Sequence, residues 1–266
     1  CEEPRLCTIC VLRCGKPPQL WRAGRRRLIR HPKSIKILAP SEFMARRLQN
    51  EDLSIHRVLR GFVPDVGGHL SVENRDAKSI LYMGLMEAHK GVESLLDAFA
   101  RSANRQGFTL HFVGEGRMKQ PMVEKIQALG MEDRVKVHGF LSVEQLRGIR
   151  AEAAAQVVPS IWYENAPAVA LEALSCSIPV VASNIGGLPE IATPDSGSEL
   201  FEPGDAPGLA EIIVHLWENR DNLAARRAAA RREYELRFTP EVHVRQYLDI
   251  VKELGRQDQR PSTIST

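Results

Sequence analysis

Residues 155–183 read AQVVPSIWYENAPAVALEALSCSIPVVAS. Two short apolar runs, 155–158 and 178–182, lie on either side of a segment with helical character at 166–175. A buried strand, a helix and a second buried strand form a β-α-β unit, in which the two strands lie parallel in one sheet. This stretch therefore predicts an α/β fold.

The same alternation extends from Lys78 over most of the chain. The predicted strands are 79–83, 108–113, 134–138, 155–158, 178–182 and 198–201. The predicted helices are 90–103, 117–129, 142–152, 166–175, 188–192 and 206–219, with two more at 221–236 and 240–254. Because the strands are apolar throughout and each is followed by a helix, we expect a Rossmann-like, doubly wound parallel sheet covered on both faces.

The first 66 residues differ in composition from the rest of the chain. They hold 14 Lys and Arg against 6 Asp and Glu, whereas the remaining residues hold 22 against 27. Residues 35–39 predict one strand, and Pro40-Ser41-Glu42 starts a helix. The turn-rich segment 61–68 is the natural place for a linker. Because the chain opens without an initiator Met and inside a Cys-rich stretch, we expect it to be a piece of a longer protein.

The overall composition, with 43% hydrophobic and 26% charged residues, is typical of a folded globular protein. No apolar run approaches the ~18 residues of a membrane-spanning helix, and the first residues lack the layout of a signal peptide. We therefore expect a cytoplasmic protein. The basic front could contact the inner face of a membrane or an anionic acceptor, and a solvated basic helix at 21–30 is the alternative. Nucleic acid is not an expected partner, because aromatic residues are not interleaved with the basic run.

Four of the five cysteines lie close together at the start of the chain. They are Cys1, Cys7, Cys10 and Cys14. Four thiolates can close around a tetrahedral Zn²⁺, but this spacing is not that of a standard zinc ribbon, and we favour reduced thiols. The fifth, Cys176, lies in an apolar segment and is expected to be a small buried hydrophobe. We expect neither a metal nor another cofactor.

Ligands of open parallel sheets bind beyond the carboxyl ends of the strands, so the loops there form the candidate site. After the first strand comes a glycine turn at Gly84 and then Lys90 at the start of a helix, where free backbone N–H groups and a lysine can meet a phosphate. After the second strand, Gly114-Glu-Gly116-Arg117 begins like a dinucleotide fingerprint, but Lys119 stands in place of the third glycine. A nicotinamide cofactor is therefore disfavoured, and a tight turn is the preferred interpretation.

The loop after strand 155–158 carries the most informative residues. Asn165 can cap the next helix and Pro167 suits its first turn, so Glu164 is expected in the loop and Glu172 two turns down the helix. Eight residues of helical rise separate the two carboxylates by about 12 Å, near the length of a sugar, a diphosphate and a ribose. One carboxylate could contact the sugar and the other the ribose. The alternative is that Glu172 is an ordinary solvated residue on the helix surface, but its neighbours along the helix are apolar, which disfavours this interpretation.

Strand 178–182 runs into a second glycine-opened turn, Gly186-Gly187-Leu188-Pro189-Glu190. At these residues the sequence resembles the family 4 glycosyltransferases of the GT-B fold. The resemblance covers residues 36–254 and rests on four motifs in this order along the chain. They are Lys90-Gly91, the E-x7-E pair Glu164/Glu172, IPVVASNIGGLPEI and GSELFEPGD.

The resemblance implies transfer of a sugar from a nucleotide diphosphate sugar, with retained configuration and without a metal. The implied acceptor is a glycan, a lipid-linked molecule or a small molecule. Glu164 would face the donor sugar, Glu172 the ribose, and Lys90 the departing diphosphate. The residues implied to line the donor site around them are Gly84, Asn165, Ala166, Pro167, Gly186, Gly187 and Glu190.

The resemblance also implies three parts of the chain. Residues 1–66 would be a remnant of the acceptor-binding domain, 67–238 the nucleotide-sugar donor domain, and 239–266 a crossover helix with a loose tail. The resemblance to the acceptor domain covers only its last part, so the resemblance assigns no acceptor-side group to this chain.

Two positions depart from the family pattern. Leu85 stands where the family commonly has an arginine after the glycine, so half of the usual cationic clamp is absent, and Arg117 is a candidate substitute. Ser177 stands where a glycine is usual, a change expected to affect packing rather than chemistry. Two alternatives to the enzyme follow: a non-catalytic nucleotide-sugar-binding module, and a nicotinamide-dependent oxidoreductase, which the broken glycine fingerprint disfavours.

Overall fold

The structure is a computed structural model that describes residues 35–51, 53–67 and 77–258. The cysteines at positions 1, 7, 10 and 14 and the basic run at 21–30 lie outside the described residues. The preference for reduced thiols over bound zinc at these cysteines and the membrane contact of the basic run therefore stay predictions.

The front of the described chain forms a small parallel sheet. Its two strands, β1 (Ile37–Ala39) and β2 (Ile55–Val58), are connected by α1 (Glu42–Gln49). Ser41 caps α1, because its side-chain oxygen accepts a hydrogen bond from the Met44 N–H. The apolar pattern alone did not predict β2, since the polar centre of this strand, His56-Arg57, interrupts that pattern.

Six parallel strands form the main sheet. They are β3 (Ser79–Met83), β4 (Thr109–Val113), β5 (Val135–His138), β6 (Ala153–Val158), β7 (Val180–Ser183) and β8 (Glu199–Phe201). The strand order is β5-β4-β3-β6-β7-β8, and every neighbouring pair is parallel. Counted within the sheet this order is 3-2-1-4-5-6, that of doubly wound nucleotide-binding folds. The predicted α/β fold with a parallel sheet is confirmed.

Helices connect successive strands and close the chain. They are α2 (Val92–Ser102), α3 (Lys119–Ala128), α4 (Val143–Glu152), α5 (Ala168–Ser175), α6 (Ala206–Glu218), α7 (Leu223–Arg237) and α8 (Pro240–Asp258). Short 3-10 turns occupy Ala88–Lys90, Leu188–Glu190, Pro194–Ser196 and Arg220–Asn222. Among the described helices, none combines the length and the apolar character that crossing a bilayer requires.

Apolar side chains fill the space on both faces of the main sheet. On one face Phe112 packs in a core with Phe99 of α2, and on the other Leu81 packs in a core with Leu174 of α5. The strand β6 is buried at every position. Fully burying side chains of this size contributes ~1.5–3 kcal/mol each, so the apolar strands account for much of the stability of this layer.

Most helix boundaries differ from the predicted ones by one or two residues, and the differences in α5 and α8 are described here because α5 carries Glu172 and α8 differs most. The helix α5 begins at Ala168 with Pro167 as its N-cap, so Asn165 is not the cap and lies two residues before it. Proline disfavours the helical conformation of the residue before it, which delays the start of the helix. The expected helical separation of about 12 Å between the two carboxylates therefore does not apply, since residues 164–167 are not helical. The helix α8 continues through Gly255 to Asp258.

The residue Ser177 adopts a left-handed conformation, with φ 59°, in the turn between α5 and β7. Side chains with a Cβ are strained in this region, whereas glycine is not. Ser177 is also buried. The departure from the family glycine thus affects the backbone, as well as the packing that the sequence predicted.

We expect Ser177→Gly to raise the free energy of unfolding by up to about 1 kcal/mol, because relief of the left-handed strain outweighs the larger entropy of the unfolded chain. Urea denaturation measures the change. The control is Ser175→Gly in α5, where the serine Oγ bonds to the Glu172 carbonyl oxygen, and this variant should be less stable than the wild type. If Ser177→Gly lowers stability as the control does, the strain is absent.

Candidate functional site

The order of the strands reverses between β3 and β6, which places the switch point of the sheet there. The Ile161 N–H in the loop after β6 donates to the His89 carbonyl in the turn after β3, at 3.0 Å. Gly91 permits this close approach, since it has φ 70° and a Cβ there would lie 1.8 Å from the Pro159 carbonyl oxygen. The two loops therefore form one continuous surface beyond the strand ends.

An ion pair joins the two loops at this surface. The Lys90 Nζ donates to Glu164 Oε1 at 2.5 Å, and the buried Ser160 Oγ donates to the same oxygen at 2.7 Å. Among the described residues no hydrogen bond reaches Glu164 Oε2. The sequence placed both residues in the candidate site, and the structure brings them into direct contact.

The tyrosine Tyr82 lies beside this pair at the end of β3. Its hydroxyl donates to the Leu85 carbonyl at 2.6 Å. Burial raises the pKa of Tyr82, and the nearby charge of Glu164 raises it further. The hydroxyl therefore stays protonated at neutral pH and fixes the turn that begins at Gly84.

The second carboxylate of the E-x7-E pair, Glu172, is held by a different cation. Its Oε2 accepts from Arg150 Nη2 at 2.5 Å, and the same nitrogen lies 3.6 Å from the Met83 sulfur. The Arg150 side chain is 8% exposed and that of Glu172 is 29% exposed. Since Met83 ends β3 and Tyr82 precedes it, both acidic residues act near the carboxyl end of the same strand.

The glycine turn after β7 packs directly on the Glu164 loop. The Gly187 N–H donates to the Glu164 carbonyl at 2.7 Å. A Cβ at Gly186 would lie 2.2 Å from that carbonyl oxygen, and one at Gly187 would lie 1.8 Å from the Asn165 carbonyl oxygen. The two glycines therefore allow backbone-to-backbone contact that fixes the position of Glu164.

The residues after Glu164 face the front unit as well as the helix. Asn165 Oδ1 accepts from the Ser41 Oγ at 2.5 Å, which links it to the cap of α1. Ala166 packs partly buried against the core on the α5 face. Pro167 begins α5 as its N-cap. These three residues thus connect the loop to the front unit and to the sheet.

The carboxylate of Glu190 also contacts the front unit. It accepts hydrogen bonds from the backbone N–H groups of Glu42 and Phe43, at 2.9 and 2.8 Å, which are the first residues of α1. A carboxylate at a helix N-terminus is stabilising, because unpaired N–H groups and the helix dipole favour negative charge there. The sequence predicted Glu190 as part of the donor loop, and the structure places its carboxylate on α1.

Arg117, the candidate substitute for the arginine that the family pattern has at Leu85, is almost fully exposed. The Arg117 side chain is 92% exposed, and its described ion pair is with Glu87 at 3.8 Å. Leu85, at the family arginine position, is 60% exposed. The structure therefore does not show Arg117 joining Lys90.

Three residues of the site were missed by the sequence analysis: Arg150, Ser160 and Ser41. Arg150 had a detectable signal, because it continues the apolar helical stripe of Leu146 and Ile149 and so had to face the core. Ser160 and Ser41 had none, since serines beside proline are common in loops. In the described ranges, no three or more His, Cys, Asp or Glu side chains are grouped as metal ligands.

We expect Glu190→Ala to lower the free energy of unfolding by about 1–2 kcal/mol, because two N–H groups of α1 lose their acceptor. Thermal or urea denaturation measures the change. The control Glu235→Ala removes an exposed carboxylate that pairs with Arg231 along α7, and it should cost less than about 0.5 kcal/mol. Unchanged stability with lost nucleotide binding would instead assign Glu190 to the donor loop.

Comparison with known proteins identifies the family. Residues 71–233 match the family described as Glycosyl transferases group 1. An uncharacterized glycosyltransferase of Methanocaldococcus jannaschii is 35% identical over 116 residues, which are 44% of this chain and 30% of that protein. The amylovoran biosynthesis glycosyltransferase AmsK of Erwinia amylovora is 28% identical over 183 residues, which are 66% of this chain and 45% of that protein. The chain thus spans between 30% and 45% of the length of these two relatives.

Solved structures show the same fold. Anabaena HepE in complex with UDP has a TM-score of 0.72 at 20% identity, over 92% of this chain and 75% of that one. Its complex with UDP-glucose gives 0.70 at 21% identity, over 87% of this chain and 68% of that one. Because the family match covers more than half of the sequence and these neighbours share its sheet, the chain belongs to the group 1 glycosyltransferases of the GT-B fold.

Proposed function

We propose that the whole protein transfers a sugar from a nucleotide diphosphate sugar to an acceptor with retention of configuration, and that this chain binds the donor. The main support is the Lys90–Glu164 ion pair at the switch point of the sheet. Ligands of doubly wound folds bind in this crevice. A paired cation and carboxylate offer one group to a diphosphate and the other to a sugar.

In this proposal Lys90 acts on the leaving group. Breaking the bond between the sugar and the diphosphate leaves additional negative charge on the phosphate oxygens. A fixed ammonium group near those oxygens stabilises the transition state more than the ground state, because the charge develops as the bond breaks. Lys90 would then shift part of its interaction from Glu164 to the diphosphate, while Ser160 continues to hold Glu164.

The two carboxylates share an arrangement that suits binding of hydroxyl groups. Each has one oxygen anchored by a cation, Glu164 Oε1 by Lys90 and Glu172 Oε2 by Arg150. The other oxygen of each has no hydrogen bond among the described residues. A carboxylate oxygen accepts strong hydrogen bonds from sugar hydroxyls. We assign Glu164 to the donor sugar and Glu172 to the ribose.

The proposal also covers metal independence, the identity of the donor nucleotide, the acceptor and the localisation. Metal independence follows from the assignment of the diphosphate charge to Lys90 and to backbone N–H groups, and no cofactor is proposed. HepE, a neighbour of the same fold, was solved with UDP and with UDP-glucose, which makes uridine diphosphate sugars the first donors to test. A glycan, lipid-linked or small-molecule acceptor, cytoplasmic localisation and peripheral membrane contact stay predictions from the sequence.

A non-catalytic module that binds nucleotide sugars is the second candidate. Leu85 supports it, because an exposed leucine stands where an arginine would complete the clamp on the diphosphate. Loss of one such preorganised charge costs about 3–4 kcal/mol of transition-state stabilisation. Release of sugar from radiolabelled donor by the complete gene product separates an enzyme from a binding module.

We expect the 266-residue chain to bind UDP in calorimetry. The Lys90→Met variant should lower the affinity for UDP at least about tenfold and the affinity for uridine much less. The reason is that the ammonium group interacts with the diphosphate and not with the nucleoside. The control Lys119→Met removes a similar partly exposed ion pair, with Glu115, on α3, and it should leave UDP affinity within about twofold. A well-folded wild type that binds neither UDP, GDP nor ADP would refute the proposed donor site.

A further inference from the structure

The helix α4 places a cation where an apolar residue is expected. Its core-facing stripe runs through Leu146 and Ile149, and the next residue of the stripe is Arg150. The Arg150 side chain is only 8% exposed. Burying a guanidinium group is costly unless it is paired, so the position calls for a carboxylate partner.

That partner is Glu172. The Arg150 Nη2 lies 2.5 Å from Glu172 Oε2, and within the described chain Glu172 is the one carboxylate hydrogen-bonded to Arg150. The Arg150 Nε is buried without a hydrogen bond to any described group. This ion pair therefore joins α4 and α5, two helices that follow different strands.

The backbone that carries Arg150 is itself held in place. Arg227 of α7 is fully buried and donates through its Nη2 to the carbonyl oxygens of Ala151 and Ala153, at 3.1 and 2.8 Å. Ala151 follows Arg150 within α4, and Ala153 is the first residue of β6, so Arg227 holds the junction between the two elements. The Arg150 side chain therefore extends from a backbone that is held in place, which limits the positions from which its guanidinium can reach Glu172.

We infer that Arg150 is the positioning residue of Glu172. By holding Oε2, it stops a partly exposed side chain from sampling other rotamers, and it leaves Oε1 to accept from the donor. Fixing a binding group before the ligand arrives raises affinity, because less conformational entropy is lost on binding. The inference rests on the proposed function, in which Glu172 binds the ribose.

Two other roles for Arg150 make different predictions. A purely structural ion pair would affect stability without affecting recognition of the ribose. A direct contact with the diphosphate would weaken every nucleotide diphosphate alike, whether or not its ribose carries hydroxyl groups. A positioning role acts through Glu172 and therefore affects only ligands that have ribose hydroxyl groups.

The test compares UDP with 2′,3′-dideoxy-UDP by calorimetry on the 266-residue chain. We expect the wild type to prefer UDP by at least about tenfold, the value of a hydrogen bond to a charged group. The Arg150→Met variant should lose most of this preference, because its affinity for UDP falls while its affinity for dideoxy-UDP does not change. The Arg150→Lys variant should retain part of the preference. In a Glu172→Gln background, Arg150→Met should have no further effect on UDP affinity.

The double variant protects the test against misfolding. Removing both charges together leaves no unpaired ion at this position, so the double variant Arg150→Met with Glu172→Gln should fold even if Arg150→Met alone fails to fold. It must then bind UDP as Glu172→Gln does. The matched control is Arg226→Met, because Arg226 forms a comparable 2.5 Å pair with Glu199 on β8, and its preference for UDP should equal that of the wild type.

Three results would overturn the inference. If Arg150→Met keeps the wild-type preference for UDP, Glu172 needs no positioning and the proposed function stands. If Arg150→Met weakens UDP and dideoxy-UDP equally, Arg150 acts on the diphosphate. If the folded wild type binds no nucleotide diphosphate at all, the proposed function fails and the inference fails with it.

Discussion

The candidate site depends on partly buried carboxylate–cation pairs at the switch point of the sheet, where the strand order reverses. The strands β3 and β6 are neighbours in the sheet, but the chain leaves them toward opposite sides. Their loops would diverge without a contact between them. The Lys90–Glu164 pair, shared with Ser160, supplies one such contact, and the backbone hydrogen bond from Ile161 to His89 supplies another. Such a pair costs desolvation energy, and its position at the switch point of the sheet fits the donor-binding role that we propose for it.

The second pair, Arg150–Glu172, repeats this arrangement between two helices. Arg150 reaches Glu172 from α4, and Arg227 of α7 fixes the end of α4. Both acidic residues thus have one oxygen bound and one without a described partner, although they lie on different elements. This is the arrangement of a preorganised site, in which the supporting residues, rather than the ligand, determine where each binding group points.

The contacts to the front unit connect that unit to the same site. Glu190 caps α1, and Asn165 bonds to Ser41, the cap residue of the same helix. Tyr163 stacks on Phe43 of α1, with ring centroids 5.4 Å apart. A displacement of α1 would therefore also displace the loop that carries Glu164, because Asn165 and Tyr163 of this loop contact α1 and its cap. The N-terminus of one helix is in this way coupled to the candidate binding residues.

The sequence by itself determined the α/β class, the alternation of strands and helices along the chain from Lys78, and the placement of Lys90 and Glu164 beyond the ends of their strands. These follow from local patterns, because the periodicity of apolar residues and the glycines at turns depend only on neighbouring residues. The partners of Glu172 and Glu190 were decided by the tertiary structure. Contacts such as Arg150–Glu172 join residues on separate helices, and a linear pattern carries no information about which buried charge meets which.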